Sequence, residues 1–368
     1  MRVGILTFHT ALNYGAVLQA YALQHSIGRL GHDCEVIDYH CDSLEASYGV
    51  MPTQRISPSG IASAVAHAPG RLLRRSRFRQ FREQNLRISP QSYDSTNIRE
   101  ACFHYDRIVV GSDQVWNPDL TGGDGTYFLD FCGDAAKKVS YAASLGRSRM
   151  MVNHADLYLR CLPTFSSLSV REQDSRDYLS ALLGREVFWV VDPVLLLSSE
   201  EWNDLVTHPR QDVPYIFAYC LHEKSLYRYV ESLRRSTGRE VVYVTESLRT
   251  RTQGRRIPQP TVGEFLGLIR HADYVVTDSF HVLALAIVFR REFRAQLKGE
   301  LAELNSRVTS LLSAAGLEKR ALLPDENPSS KMLPAIDYEG VFDRLGPLVG
   351  DSIGYLRRAL ASSPPVDV

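Results

Sequence analysis

Residues 275–289 read VVTDSFHVLALAIVF, and how this stretch is read decides the fold. A β-branched run stops at Thr277-Asp278-Ser279, and an apolar stretch follows with one histidine, His281, near its start. The run has the composition of a buried strand. The stretch behind it is apolar on every side, as a helix buried all round must be. Asp278 or Ser279 is the natural N-cap, which puts His281 in the first helical turn, where the positive helix end favours anions over an imidazolium. One reading makes His281 a satisfied core residue. The other starts from its place at a strand end and from the use of histidine as a proton donor or acceptor near neutral pH.

Outward from this unit the same rhythm repeats. Strand-like runs occur at 2–8, 34–39, 106–111, 138–144 and 166–170, then at 187–191, 214–220, 240–245 and 273–277. Between the first two, Val17, Leu18, Tyr21, Ala22 and Ile27 follow helical spacing from about Tyr14 to Leu30, and Gly31 ends the helix. Ser198 with Glu201, and Thr261 with Glu264, have capping-box spacing. Alternating strands and helices predict an α/β fold with parallel sheets, arranged as two Rossmann-like domains with a cleft between them. Ligands in such folds bind beyond the carboxyl ends of the strands, so the residues just after the strands are the candidates.

Bulk properties narrow the function. A chain of 368 residues is too long for one ordinary core. Its 42 basic and 42 acidic side chains balance, which gives nucleic acid no support as the main partner. The start, MRVGILTF, runs straight into a strand without a signal-peptide layout, and no apolar run reaches the roughly 20 residues of a membrane-spanning helix. The six cysteines show no CxxC spacing, which predicts reduced thiols, no metal site and a cytoplasmic protein.

At the strand ends, Asn13 and Gly15 open the first helix, and no GxGxxG supports a nicotinamide enzyme. GSDQVWNPDL (111–120) gathers Asp113, Gln114, Trp116 and Asn117. Trp116 is read either as a platform for a sugar ring or as core filling. In SVREQDSRDYL (169–179), Arg171 directly follows a strand; it either grips a carboxylate or phosphate in a bidentate fork or pairs with Glu172, Asp174 or a carboxylate elsewhere in the chain.

Taken in order, GILTFHTALNYGAVLQAYAL, RFRQFREQNLRIS, VVGSDQVWNP, YFLDF, KVSYAASLG, SVREQDS, VVDPVLLL, TDSFH and NSRVTSLLSAAGLEKR resemble the polysaccharide pyruvyl transferase family across most of the chain. The resemblance implies a fold like that of the GT-B glycosyltransferases. It also implies transfer of pyruvate from phosphoenolpyruvate to two sugar hydroxyls as a ketal, with release of phosphate and without a cofactor. The family's SFH histidine and S-x-R-E arginine correspond to His281 and Arg171. Val282 stands where glycine is usual after that histidine, and Arg290-Arg291-Glu292-Phe293 where a lysine-proline pair before an aromatic is commoner.

These readings assign 1–168 to an N-terminal domain on the acceptor side and 169–325 to a C-terminal domain on the donor side. A connector follows at 326–340, and a last helix at 341–362 is expected to pack back on the first domain. His281 and Asp113 are the catalytic candidates. Arg171, Ser279, Phe280 and His281 are assigned to the donor, and Asn13, Gln114 and Trp116 to the acceptor, a sugar or glycan that is free or lipid-linked. Two alternatives stay open: a nucleotide-sugar glycosyltransferase of the same fold, and a non-catalytic glycan-binding relative. The segment 71–87, with seven arginines in seventeen residues, is either a basic helix touching an anionic membrane peripherally or a solvated helix seated by Phe78 and Phe81.

Overall fold

The computed structural model of the chain describes residues 1–46, 68–146, 153–209, 213–221, 226–245, 253–299, 305–323 and 333–361, and of 47 and 58–67 the backbone alone. Residues 326–332 of the expected connector and the last residue of the expected helix at 341–362 lie outside this set. Two compact units emerge. The first comprises Met1–Ala66, Arg79–Leu196 and Pro347–Val368, and the second His67–Phe78 and Leu197–Gly346. The division thus falls after Leu196 instead of at 168, and residues 169–196 belong to the first unit.

The first unit is built on a parallel sheet in the order β3-β2-β1-β4-β5, with β1 Arg2–Leu6, β2 Asp33–Tyr39, β3 Ile88–Tyr93, β4 Arg107–Val110 and β5 Lys138–Ser140. A parallel pair, β6 Ser169–Val170 with β7 Phe188–Trp189, joins through single bridges Val139 to Ser167 and Ala143 to Val170. Asn13 caps the helix Tyr14–Arg29, its side-chain oxygen accepting from Gly15 N at 2.9 Å and Ala16 N at 3.4 Å. β3 escaped the sequence reading. Its ISPQSY carries Pro90, which a sheet tolerates at an edge, and β3 is an edge strand.

The second unit holds a six-stranded parallel sheet, β10-β9-β8-β11-β12-β13. Its strands are β8 Tyr215–Tyr219, β9 Glu240–Val244, β10 Arg255–Ile257, β11 Tyr274–Thr277, β12 Glu292–Gln296 and β13 Ala321–Leu322. Both capping boxes form: Ser198 with Glu201, and Thr261 with Glu264. The helix Phe280–Val288 is buried along all nine residues, as the opening stretch requires. β12 was missed because EFRAQ puts charged side chains in a buried strand. They are compensated there: Glu292 pairs with Arg320 at 2.8 Å, and the Arg294 guanidinium lies 5.8 Å from the centre of the Tyr229 ring.

The expectation of free thiols fails at Cys102 and Cys132, which are bridged. They are 30 residues apart in sequence, and only the fold brings the short helix Ala101–His104 beside the turn at Cys132. Phe78 and Phe81 are buried, which supports the seated reading of segment 71–87, while Leu72 and Leu73 remain exposed. Among the described residues no helix is long and apolar enough to cross a membrane.

Candidate functional site

In the first unit the strand-end residues tie the scaffold together. β4 runs into Gly111, whose φ of +116° suits glycine; a Cβ there would lie 2.2 Å from the Tyr141 carbonyl oxygen. Asp113 follows with φ 74°, and its carboxylate accepts from Gln114 N at 2.9 Å and from Arg171 Nη2 at 3.4 Å. The same guanidinium donates from Nη1 to Asp192 at 2.7 Å and from Nε to Glu172 at 3.0 Å. Asp192 also accepts from the Ser112 hydroxyl at 3.0 Å and from Val194 N. The Arg171 side chain is 0% exposed. Burial by itself would weaken its charged form, but the carboxylates of Glu172, Asp192 and Asp113 outweigh that and hold it charged.

This geometry corrects the donor-clamp reading of Arg171. Its fork is taken up by carboxylates, one of them the Glu172 partner that the sequence offered as an alternative, and it lies in the first unit. Trp116 is corrected as well. It is fully buried, donates from Nε1 to Tyr127 O at 2.9 Å, stacks on Phe128 at 6.0 Å and meets Phe165 edge-on at 5.8 Å. It presents no face to a sugar. The Asn13 side chain serves the helix cap, and Gln114 accepts from Asn117 at 2.9 Å.

In the second unit, β11 ends beside β8 and β12, with Thr277 in register with Tyr219 and Ala295. The Thr277 hydroxyl donates to Tyr219 O at 2.7 Å and accepts from Ser279 N at 3.0 Å. Ser279 occupies the N-cap position without a side-chain cap, and the Asp278 carboxylate accepts from Leu221 N at 2.7 Å. His281 therefore enters the first turn of a buried helix on a backbone pinned from both sides, with 9% of its surface exposed.

One residue that the sequence reading missed belongs to the same edge. β12, the neighbour of β11, ends at Gln296, and Lys298 follows two residues later, 4% exposed. The Asn305 side chain grips both backbone groups of Lys298, accepting from its N–H at 2.8 Å and donating to its carbonyl at 3.0 Å. Adjacent strands lie about 4.8 Å apart, so the ends of β11 and β12 bring a histidine and a lysine to one edge of one sheet. Two buried basic side chains at the carboxyl edge of a parallel sheet suit an anionic ligand and proton transfer.

The sequence model described as polysaccharide pyruvyl transferase matches residues 13–295. The chain belongs to the polysaccharide pyruvyl transferase family. Membership makes it a transferase of polysaccharide biosynthesis, and the family's extent takes in the strand-end segments of both units up to β12. No curated protein matches the chain. Among solved structures, UDP-GlcNAc 2-epimerase from Methanocaldococcus jannaschii, in complex with UDP-GlcNAc and UDP, aligns with TM-score 0.51 at 13% identity, over 98% of this chain and 99% of that one. A protein from Listeria monocytogenes taken to be a UDP-N-acetylglucosamine 2-epimerase aligns with TM-score 0.50 at 12% identity, over 100% and 92%. At such identity these likenesses show the fold alone, and that fold is the GT-B-like pair of Rossmann-like units that the pyruvyl transferase resemblance implied.

Proposed function

We propose that the protein moves pyruvate from phosphoenolpyruvate onto two hydroxyls of a sugar or glycan, forming a ketal and releasing phosphate. The supporting observation is the His281 imidazole at the start of the buried helix Phe280–Val288, with Lys298 at the end of the neighbouring strand, in a pyruvyl transferase family member. Phosphoenolpyruvate is an enol phosphate. Adding a proton to its methylene carbon leaves the adjacent carbon electrophilic. One hydroxyl oxygen attacks that carbon, the bond to phosphate breaks, and a second hydroxyl closes the ketal. Of the two protons lost by the hydroxyls, one replaces the proton given to the methylene and the other leaves with phosphate.

In this reading His281 handles the methylene proton. Lys298 takes over from Arg171 as the cation for the donor's carboxylate or phosphate, and Ser279 and Phe280 shape the turn that carries His281. Asp113, Asn13 and Gln114 remain acceptor-side candidates, of which Asp113 is the carboxylate available to a hydroxyl. No metal or cofactor enters the scheme.

Calorimetric titration with phosphoenolpyruvate, alongside phosphate release over a panel of glycosides, tests the reading. Wild-type protein is expected to bind phosphoenolpyruvate, and His281→Ala to bind it but turn over poorly. Stabilisation by a nucleotide sugar and not by phosphoenolpyruvate would replace this reading with the glycosyltransferase one. Binding without phosphate release on any glycoside would favour the non-catalytic relative.

A further inference from the structure

The helix Pro58–Asn85 carries two opposed faces in its second half. One seats it. Phe78 and Phe81 are buried, the Arg74 guanidinium lies over the Phe78 ring at 5.5 Å, and Arg77 donates to the Gln259 carbonyl two residues past β10. The other face looks outward. Leu72 and Leu73 are 56% and 46% exposed, and Arg75, Ser76, Arg79 and Gln80 continue the exposed face at helical spacing. A single exposed leucine is ordinary. Two in succession, bordered by arginines along one helix face, form an apolar patch with a cationic rim.

The charge of this segment is one-sided. Residues 68–82 hold six arginines and no aspartate or glutamate, in a chain whose net charge is zero. The seated arginines keep their charge, because neither a ring face nor a carbonyl neutralises a guanidinium. Glu264 lies 3.9 Å from Arg77 and Glu83 lies 3.7 Å from Arg79. Ion pairs so long and so open to solvent are weak and leave the positive field largely intact. β10, an edge strand, adds Arg255 and Arg256 close to the residue that receives Arg77. An anionic polymer would satisfy the arginines and leave Leu72 and Leu73 in water. A second copy of the same face would set arginine against arginine. A bilayer interface satisfies both halves of the patch: leucines enter the acyl boundary, and guanidinium groups on long stems reach acidic headgroups.

We propose that the face built on Leu72, Leu73 and Arg75 docks the protein peripherally on a membrane surface rich in acidic phospholipid, the helix lying along the interface. The docking does not depend on the identity of donor or acceptor.

Co-sedimentation of the full chain with phosphatidylcholine vesicles, with and without about one-third phosphatidylglycerol, tests it. The chain is expected to bind the acidic vesicles and not the neutral ones, and to be released as salt is raised, since screening removes the headgroup attraction. The double change Leu72→Ser with Leu73→Ser is expected to weaken binding at least about tenfold, and Arg75→Gln about fivefold. Melting temperatures should stay as in wild type, because all three side chains are exposed. No binding to acidic vesicles, equal binding to neutral ones, or wild-type binding by the double leucine variant would overturn the docking. So would tighter binding to alginate than to the acidic vesicles, which would assign the arginines to an anionic polymer, or a dimer that the leucine changes dissolve, which would assign the face to a second copy.

Discussion

At the scale of single residues, His281 and Arg171 resemble each other in sequence, each a basic side chain within four residues of a strand end, yet their surroundings differ. General acid–base help is worth about 10²–10⁴-fold in rate. His281→Ala should therefore fold normally and lose activity by about that factor, as measured by phosphate release beside a thermal melt. A variant with wild-type turnover removes the imidazole from the mechanism. Lys298→Gln should weaken phosphoenolpyruvate in calorimetry while leaving the melt nearly unchanged, and an unaltered affinity would take the lysine out of the donor site. Arg171 calls for the opposite result. Removing a guanidinium from among Asp113, Glu172 and Asp192 leaves buried carboxylates uncompensated, a loss of about 3–5 kcal/mol in stability. Arg171→Ala should unfold several degrees lower whether or not donor is present. A full-stability variant that had lost only donor affinity would restore the clamp.

At the scale of elements, what was legible depended on whether local signals agreed. Asn13, Ser198–Glu201 and Thr261–Glu264 marked helix starts correctly because a cap is a contact between near neighbours in sequence. The buried helix at 280–288 was legible because eight apolar or aromatic positions around one histidine leave no polar face. β12 was not, since the partners that make EFRAQ tolerable, Arg320 and Tyr229, are distant in sequence. Lys298 was hidden with it, because a residue cannot be seen as strand-end when its strand is not seen. Trp116 and Arg171 show the complementary limit: composition offered two readings for each, and only long-range packing chose between them. A further contact beyond sequence reach is His208 against His271, ring centres 4.5 Å apart, where the backbone at Thr207 crosses Gly267 so closely that a Cβ on Gly267 would lie 1.9 Å from the Thr207 carbonyl oxygen. Burial, then the charges of His208, Arg270 and Arg291, hold the His271 imidazole below its ordinary value of 6.5. The unfolded chain then takes up the proton more readily than the folded one. The stability contribution is full above about pH 6.5 and is lost as the pH falls from there through the lowered folded value. Melting temperatures between pH 7.5 and 5 should fall less for His271→Gln than for wild type, and equal slopes would show that this pair does not carry the acid sensitivity.

At the scale of the whole molecule, the chain lends His67–Phe78 to the second unit, leaves the first again after Leu196 to build the rest of the second, and returns at Pro347. The return takes place within one continuous helix, Tyr338–Ala361, where the sequence predicted a last helix at 341–362. Its last part completes the first unit's core. The Tyr355 hydroxyl donates to Ser140 O at the end of β5 at 2.8 Å, its ring lies 5.0 Å from Phe188 on β7, and the Ser352 hydroxyl accepts from Val191 N at 3.0 Å. A unit whose last segment follows most of the second unit in sequence closes only once residues 347–361 have been made. A chain ending at Gly346 should therefore leave β5–β7 uncovered. Hydrogen exchange at Val191 and at the amides of Ser169 and Val170 should rise towards unprotected rates in that truncation, with β8, β9 and β11 of the second unit keeping theirs. The single change Tyr355→Phe, which removes one hydrogen bond worth about 1 kcal/mol, should raise exchange at the same first-unit amides by about fivefold. Protection of the first unit that is untouched by the truncation would mean that the returning helix only rests against a unit already complete without it.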